Sequence, residues 1–294
     1  MNEQVKTLSH NVSSLNTKAL FGAYWGQPTP KRLVIAKGVM SGPCAIDAGL
    51  KSRFILEVRG EIQGLGGFAG AGGGTAIDCH SDVIIRNEGA IRGGGGYGGH
   101  GGRGGGGQYG VSYIERQPSH GETFDRDVTD WEVSSRVYNV IYWNHQRIAA
   151  FRSRAVTFVH GGWTYHRGRH REILDYTAPS DDYIYSVYRT RSATRQVATY
   201  GGVGGVGGRG QGFGQSALAG AAGHAGGRHA GRGGQGGHGG RWGQAGETGH
   251  TGAPGNTGAG RAGAPGSPAG YAIKKNGGSV TVVGSGIIQG KVGD

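Results

Sequence analysis

Three histidines are the residues of this chain whose spacing comes closest to a metal-binding pattern. His160, His166 and His170 lie close together within one aromatic stretch. Protein zinc sites combine such histidines with Cys or carboxylate ligands at short, regular spacings, and no Cys or carboxylate follows these histidines at ligand spacing. We therefore predict no metal site, and nothing in the sequence indicates a cofactor.

Paired carboxylates are the next candidates for chemistry. Asp125 with Asp127 and the pair Asp181-Asp182 could in principle supply the acid and base of a glycosidase. Both pairs are more typical of solvated turns. The chain has no nucleophile elbow, no His-Glu-x-x-His zinc motif and no phosphate-binding loop, and Gly-x-Gly-x-x-Gly matches occur by chance in so much glycine. We predict that the protein is not an enzyme.

Glycine dominates the elements that would have to position any site. The chain has 67 glycines in 294 residues, over three times the usual fraction of about 7 per cent. They concentrate in Gly89–Gly110 and Gly201–Gly270. Such tracts either behave as flexible linkers or use glycine as a building material.

The spacing of these glycines favours an ordered structure. From Gly231 to Gly258 glycine occupies every third position, which is the period of a polyproline II-type helix. Collagen shares that period, but it favours proline and has no use for doublets such as Gly233-Gly234. Packed polyglycine II helices, which approach closely through backbone hydrogen bonds and weak Cα–H contacts, fit better. The tracts therefore predict a bundle of polyglycine II helices.

A β repeat borders the glycine tracts on both sides. Phe54–Gly64, Val83–Gly93 and Val280–Gly290 each read as an apolar strand, a turn and Gly-x-Ile-x-Gly. Repeated units that cannot bury their own apolar face usually stack on one another. The third copy comes nearly 200 residues after the second, so we predict that the chain leaves a small β layer and later returns to it.

Residues 111–199 interrupt the glycine tracts and are rich in Tyr, Trp and Arg. Ala155–Val159 and Trp163–Tyr165 flank Gly161-Gly162, a pattern typical of a β-hairpin. Val137–Trp143 and Tyr183–Arg191 also read as strands. Since Tyr, Trp and Arg are enriched at binding hot spots, these residues are either contact residues or the core of the insert itself. The candidate contact residues are Tyr113, Trp131, Tyr138, Tyr142, Trp143, Trp163, Tyr165, Arg167, Tyr183, Tyr185 and Tyr188.

The N-terminal residues carry a short heptad-like pattern. Val5, Leu8, Val12 and Leu15 follow 3-4-3 spacing, which predicts about two heptads of a coiled-coil-like helix. The helix would form a trimeric stub or dock on the coiled coil of another protein. The alternative is a single amphipathic helix that lies on its own domain.

Charge and cysteine content limit the partners and the compartment. A formal net charge of +12 favours nucleic acid, phosphorylated glycolipid or acidic protein loops as partners, or else only solubility. Cys44 and Cys79 lie in apolar, strand-like surroundings and read as buried thiols. The sequence has no signal-peptide core and no apolar run long enough for a membrane span, so we expect synthesis in the cytoplasm without a cleaved signal.

The phrase from Gly73 to Gly96, GGTAIDCHSDVIIRNEGAIRGGGG, resembles the junction that enters the glycine-rich domain of the long-tail-fibre tip adhesins of T-even-like phages. The resemblance covers roughly residues 33–110 and 201–270. It implies a β-containing attachment domain on a trimeric fibre, a sandwich of packed polyglycine II helices, and variable segments that contact the host receptor. The heptad pattern, which departs from the pattern of that family, makes Val5, Leu8, Val12 and Leu15 the candidates for fibre attachment.

The predicted fold is mostly irregular and β: a bundle of polyglycine II helices with small β layers, a hairpin-rich insert and a short N-terminal coiled-coil-like helix. The predicted parts are an N-terminal helix and linker (1–30), a β attachment domain (31–93), a polyglycine II sandwich (94–110 and 200–269), a receptor-contact insert (111–199) and a returning β repeat (270–294).

The expected function is that of a phage tail-fibre or tail-tip adhesin. Its expected partners are a host outer-membrane protein or lipopolysaccharide and a phage fibre protein, with no nucleic acid and no membrane insertion. We expect it at the distal tip of the virion's tail or tail fibre, on a trimeric fibre or as a homotrimer. The alternatives are RNA binding through Arg-Gly-Gly segments such as Gly102-Arg103-Gly104 and Gly231-Arg232-Gly233, or a structural glycine-rich protein of polyglycine II or collagen-like type.

Overall fold

The computed structural model of the chain describes residues 2–117, 130–134, 138–144, 146–152, 155–173 and 183–294. These residues form two compact units. The first unit combines the chain up to Tyr109 with the chain from Ala198 onward, and the second consists of the described residues between Gly110 and Val197.

The first unit begins with short strands separated by tight corners. A short helix, α1 (Thr17–Phe21), and a 3-10 turn at Gly22–Tyr24 interrupt them early in the chain. The strands are β1 (Gln4–Leu8), β2 (Leu15–Asn16), β3 (Lys31–Ile35), β4 (Met40–Ser41), β5 (Cys44–Ile46), β6 (Phe54–Val58), β7 (Glu61–Gln63), β8 (Ile77–Cys79), β9 (Val83–Asn87) and β10 (Ala90–Arg92).

The second unit is built mainly from longer strands. The first unit then resumes with a second glycine tract, and its last strands follow that tract. The second unit has β11 (Gly107–Gln117), β12 (Asp130–Ser134), β13 (Tyr138–Trp143), β14 (Gln146–Arg152), β15 (Thr157–His160), β16 (Trp163–Ile173) and β17 (Tyr183–Thr199). The returning strands are β18 (Tyr271–Lys275), β19 (Val280–Val283), β20 (Ile287–Gln289) and β21 (Lys291–Gly293).

The strands of the first unit form three parallel sheets whose order follows the chain. Sheet A has the order β1-β3-β6-β9-β19, sheet B has β4-β7-β10-β20, and sheet C has β2-β5-β8-β18-β21. Each turn of the chain adds one strand to each sheet, except that a bridge from Val12 to Ser41 replaces the sheet B strand in the first turn. The described strands of this unit therefore make a three-sided parallel β-helix.

The predicted repeats are successive turns of this β-helix. Ile85 of the second copy lies between Leu56 of the first and Val282 of the third in sheet A. In sheet C, Ile77 pairs with Ile273 across the whole glycine excursion. The prediction that the chain leaves a β layer and returns to it is confirmed.

Inward-facing aliphatic side chains stack in ladders along the axis of the β-helix. Leu56, Ile85, Ile62 and Ile91 are fully buried, because alternate residues of each strand face the interior and each turn covers the one before it. Cys44 and Cys79 are buried in the same core as free thiols. Burial raises the pKa of Cys79 to about 12, so this thiol is neutral at physiological pH.

The predicted N-terminal coiled-coil helix is wrong. Val5 and Leu8 lie in β1, Val12 forms the bridge to Ser41, and Leu15 opens β2. Leu8 and Leu15 are buried in the core of the β-helix, so they do not form a seam for another chain. Two heptads are marginal as an isolated helix, whereas pairing with β3 gives the N-terminal residues a complete five-residue ladder.

The glycine tracts of the first unit fold into six extended segments. They are joined by backbone hydrogen bonds that recur at every third residue: the N–H groups of Gly98, Gly101 and Gly104 donate to the carbonyls of Gly208, Gly205 and Gly202 at 2.8–2.9 Å. We call the segments 1 to 6 in chain order; they span residues 94–106, 200–212, 216–227, 230–242, 244–255 and 258–270.

Segments 1 and 4 occupy the centre of this bundle. Segment 1 donates hydrogen bonds to segments 2 and 5 and accepts them from segments 4 and 6. Segment 4 donates to segments 1 and 3 and accepts from segments 2 and 5. Each central segment is therefore bonded to four neighbours, mainly through the N–H groups of its glycines.

The glycine pattern differs among the six segments. The central segments repeat Gly-Gly-X, whereas segments 3, 5 and 6 have glycine mainly at one position in three. A Cβ atom on Gly101 would overlap the carbonyl oxygen of Gly234, and one on Gly102 would overlap that of Arg261. The X residues, such as His100 and His238, are exposed to solvent. Glycine is thus required at these contacts of segment 1 with segments 4 and 6.

Replacing a glycine at such a contact should destabilise the bundle. We expect Gly101→Ala to lower the free energy of unfolding by roughly 3 kcal/mol or more, because the neighbouring backbone must move to admit the methyl group. Gly258→Ala is the control: nothing lies within 4 Å of its Cβ position, and we expect a change of less than about 1 kcal/mol. Urea denaturation of both variants measures the difference, and equal effects would contradict this packing.

Candidate receptor-binding surface

The second unit is an antiparallel sheet. Its order is β14-β13-β12-β17-β16-β15, and β11 also pairs with β17. Phe151 of β14 stacks on Phe158 of β15 with ring centroids 4.9 Å apart, so the two ends of the strand order are in contact and the sheet is rolled. The predicted hairpin is confirmed: β15 and β16 are joined by Gly161-Gly162, both with positive φ.

Four of the predicted contact residues lie in the core of this unit. Trp131, Trp143, Trp163 and Tyr165 are between 0% and 8% exposed and pack around Val187. A side chain at that depth is not available to a partner, so these four are corrected from contact residues to core residues. The physical reason is that the rolled sheet buries apolar area between its strands, and aromatic side chains supply the most area per residue.

The other predicted residues are more accessible. Tyr113 is 44% exposed. The side chain of Tyr138 lies outside the described part of the structure. The half-buried members are Tyr142, Arg167, Tyr183, Tyr185 and Tyr188.

An arginine ladder braces the aromatic core. The guanidinium of Arg189 lies 4.3 Å from the ring centroid of Trp143 and 4.2 Å from that of Trp163. It also donates to Gln117 Oε1 from Nε and Nη2, at 2.9 and 2.7 Å. Arg191 covers Trp163 and pairs with Glu115 at 2.7 Å. Stacked, hydrogen-bonded guanidinium groups of this kind fix the two tryptophans.

A second cluster of aromatic and cationic side chains lies on strands β11, β16 and β17. Tyr188 stacks on His166 with ring centroids 4.7 Å apart and an interplanar angle of 7°. The guanidinium of Arg116 lies 4.2 Å from the centroid of Tyr188, and His166 Nε2 is 2.8 Å from Thr190 Oγ1. We call Arg116, His166, Tyr188 and Thr190 the Tyr188 cluster.

Strand alternation separates the cluster from the core. Val187 and Arg189 face the core. Tyr188 and Thr190 alternate with them along β17 and therefore point to the other face of the sheet. Arg116 alternates with Gln117 in the same way on β11. Sequence reasoning selected Tyr188 as a contact residue but did not select Arg116 or His166. The alternation of side chains along β17 is the signal that could have shown which of them face outward.

The imidazole of His166 responds to this environment. The pKa of His166 lies below its ordinary value of 6.5. The main cause is burial of the ring, and the second is the positive charge of Arg116. The ring is therefore neutral when it stacks on Tyr188 at neutral pH. Within the described residues, no group of three or more His, Cys, Asp or Glu is placed to hold a metal ion.

Comparison with known families identifies the class of protein. Residues 3–138 match the family described as phage tail fibre adhesin Gp38. Neither the curated proteins nor the solved structures gave a significant match. The match confirms the resemblance of the Gly73–Gly96 phrase: residues 3–138 are similar to phage tail fibre adhesins, and this similarity supports a place in the virion tail and a part in host attachment. In the described part of the chain, no helix has the length and apolar character of a membrane span.

The pKa of His166 gives a test of the Tyr188 cluster. The folded pKa is lower than that of the unfolded chain, so the unfolded chain binds more protons below about pH 6.5 and this group makes the folded state less stable as the pH falls. We expect the pKa of His166, followed by NMR of its ring protons, to lie below 6.5 and to rise in Arg116→Gln.

The control is Arg195→Gln, at an exposed position on β17, the strand that carries Tyr188. This substitution should leave the pKa of His166 unchanged. A His166 pKa at or above its ordinary value, or one that ignores Arg116→Gln, would contradict the arrangement of the cluster.

Proposed function

We propose that the second unit binds the host receptor, an outer-membrane protein or lipopolysaccharide, and that the adhesin acts by binding rather than by catalysis. The observation that carries the proposal is the Tyr188 cluster. It presents a stacked tyrosine, a guanidinium and an imidazole on the face of the sheet opposite the aromatic core. The family match supports this function over RNA binding or a purely structural role.

The chemistry of the cluster suits recognition of a host surface. Tyr and Arg supply rigid, amphipathic contact area at a low cost in side-chain entropy, and both are enriched at binding hot spots. Close to it in sequence, Ile114 is 65% exposed on β11, and Val159 at the β15–β16 hairpin is 70% exposed. Exposed apolar side chains together with aromatic rings and a guanidinium are typical of interaction surfaces.

Two substitutions test this surface. We expect Tyr188→Ala and Arg116→Ala to weaken inhibition of phage adsorption by the purified protein about tenfold or more each, as hot-spot truncations do. Arg195→Ala is the matched control and should inhibit like the native protein. Unchanged melting temperatures would show that the variants fold. Full inhibition by both variants would exclude the cluster, whereas no inhibition by the native protein would contradict receptor binding itself.

We further infer that segments 1 to 6 are polyglycine II helices. Their three-residue hydrogen-bond period, their glycine pattern and the backbone overlap that any Cβ would cause support this inference. Such a bundle supplies a stiff scaffold, because each helix is bonded along its length to two or more neighbours.

We place the adhesin at the distal tip of the tail fibre. Our candidate for the surface that attaches to the fibre is the C-terminal end of the β-helix. In the last turn, Ile288 pairs with the buried Ile91 and Val292 with the buried Ile273, so both face the interior. They are nevertheless 38% and 42% exposed at this end of the described β-helix. An apolar core that ends in three unpaired strand edges is a template for another β structure.

The N-terminal end of the β-helix differs in character. Its first turn carries Lys6 at an exposed position of the edge strand β1, and Leu8 is buried. Charged side chains on an edge strand discourage pairing with another chain. Because the C-terminal edge strand β21 also carries an exposed lysine, Lys291, the difference lies in apolar exposure: Leu8 is buried, whereas Ile288 and Val292 are exposed. This difference favours the C-terminal end as the attachment surface, in place of the seam predicted from Val5, Leu8, Val12 and Leu15.

A pair of substitutions distinguishes the two ends. We expect Ile288→Asp to reduce incorporation of the adhesin into virions at least tenfold, because a carboxylate would be buried against the partner without a counter-charge. Val5→Asp, at a 52% exposed position of the first turn, should have little effect. Particles assembled with each variant can be compared by immunoblotting. Normal incorporation of Ile288→Asp, or loss with Val5→Asp, would contradict this assignment.

A further inference from the structure

A row of polar side chains follows segment 4 along the surface of the glycine bundle. Arg232, Gln235, His238 and Arg241 occupy its X positions and are all exposed, at intervals of about 9 Å for three residues of such a helix. The first two are bonded to segment 3: Arg232 Nε donates to the Gly223 carbonyl at 2.9 Å, and Gln235 Nε2 donates to that of Gly220 at 3.3 Å. They close the surface between the two segments.

The next two side chains leave that surface open. Beyond Gln235 lies a groove of about 340 Å³, bordered by segments 3, 4 and 5. Its polar side chains are His238, Arg241, Gln244 and Glu247, and Leu218 and Ala245 are among its apolar residues. Within the described part of the chain, these four polar side chains have neither a hydrogen bond nor an ion pair, although the row repeats the geometry that engages Arg232 and Gln235.

The four side chains supply a complementary set of donors and acceptors. Arg241 only donates, Glu247 only accepts, and His238 and Gln244 do both. The single guanidinium and the single carboxylate balance, so the groove selects neither an anion nor a cation strongly. A small polyol whose neighbouring hydroxyls both donate and accept fits this set, and Leu218 offers apolar contact to the C–H face of such a ring.

We propose that this groove binds a neutral hexose unit of a carbohydrate. The site lies wholly in the first unit and uses none of the residues of the Tyr188 cluster. It would give the adhesin a second, independent contact with a surface glycan. Recognition rests on a few convergent polar groups, which fix the orientation of a small ligand, and on apolar contact with Leu218.

Saturation-transfer NMR of the full chain tests the proposal. The probes are methyl glycosides of D-glucose, D-galactose, D-mannose and N-acetyl-D-glucosamine at about 10 mM, which populates a site of millimolar Kd. We expect at least one of them to receive saturation, and its Kd to increase about tenfold in Glu247→Ala, which removes the charged acceptor. Ala245→Trp, which fills the groove without changing its charge, should abolish binding.

The control is His250→Ala, one period along segment 5 at an equally exposed position, and it should bind like the native protein. Tyr188→Ala should also retain sugar binding, so a failure of the proposed receptor surface would leave this result intact. Absence of saturation transfer to all four glycosides would overturn the proposal. So would unchanged binding in both groove variants, or displacement of the sugar by inorganic phosphate, which would indicate an anion site.

Discussion

The structure depends on the close approach of one glycine backbone to another. In the centre of the bundle, carbonyl oxygens occupy the space where the Cβ atoms of Gly101 and Gly102 would lie. At that separation the N–H groups of the central glycines reach carbonyls of the neighbouring segments, at about 2.8–2.9 Å. Glycine loses more conformational freedom on ordering than any other residue, and the density of these hydrogen bonds offsets that loss. Side chains would separate the segments and leave the same backbone groups without partners.

The β-helix makes this arrangement possible by fixing the two ends of the excursion. The chain leaves sheet B after β10 and re-enters sheet C at β18, and Gly270 N–H donates to the Gly94 carbonyl where the two paths meet. Ile77 and Ile273 then pair as neighbours in sheet C. Closing a loop of this length costs conformational entropy that increases only slowly with length. The aliphatic core of the β-helix therefore holds together the two ends of the glycine bundle, which buries few apolar side chains of its own.

The sequence predicted those features that rest on periodicity. The Gly-x-Ile-x-Gly repeats predicted stacked turns and the return of the chain, and the Gly161-Gly162 pair predicted its hairpin. The N-terminal pattern failed because Leu8, Val12 and Leu15 match a heptad spacing while their environment is set by the neighbouring turn at β3 and β5. Secondary structure of such a short segment is decided by tertiary pairing rather than by its own pattern.

The candidate site was only partly predictable for a similar reason. Composition indicated that residues 111–199 carry binding-type side chains, but it did not distinguish the buried Trp131 from the more accessible Tyr188. That distinction depends on which face of each strand turns inward when the sheet rolls. Arg116 and His166 join Tyr188 only because β11 and β16 both pair with β17. The groove that we propose as a hexose site could not be predicted from the sequence either, because it is formed by the relative positions of segments 3, 4 and 5.

Amide hydrogen exchange of the native protein tests most directly whether glycine is the building material of this fold. The account predicts that the amides of Gly98, Gly101 and Gly234, all hydrogen-bonded between segments, exchange as slowly as the amide of Ile85 in the core of the β-helix. Such protection would report a cooperative bundle. Exchange of these three glycines at the rate of an unstructured peptide, while Ile85 remains protected, would contradict it.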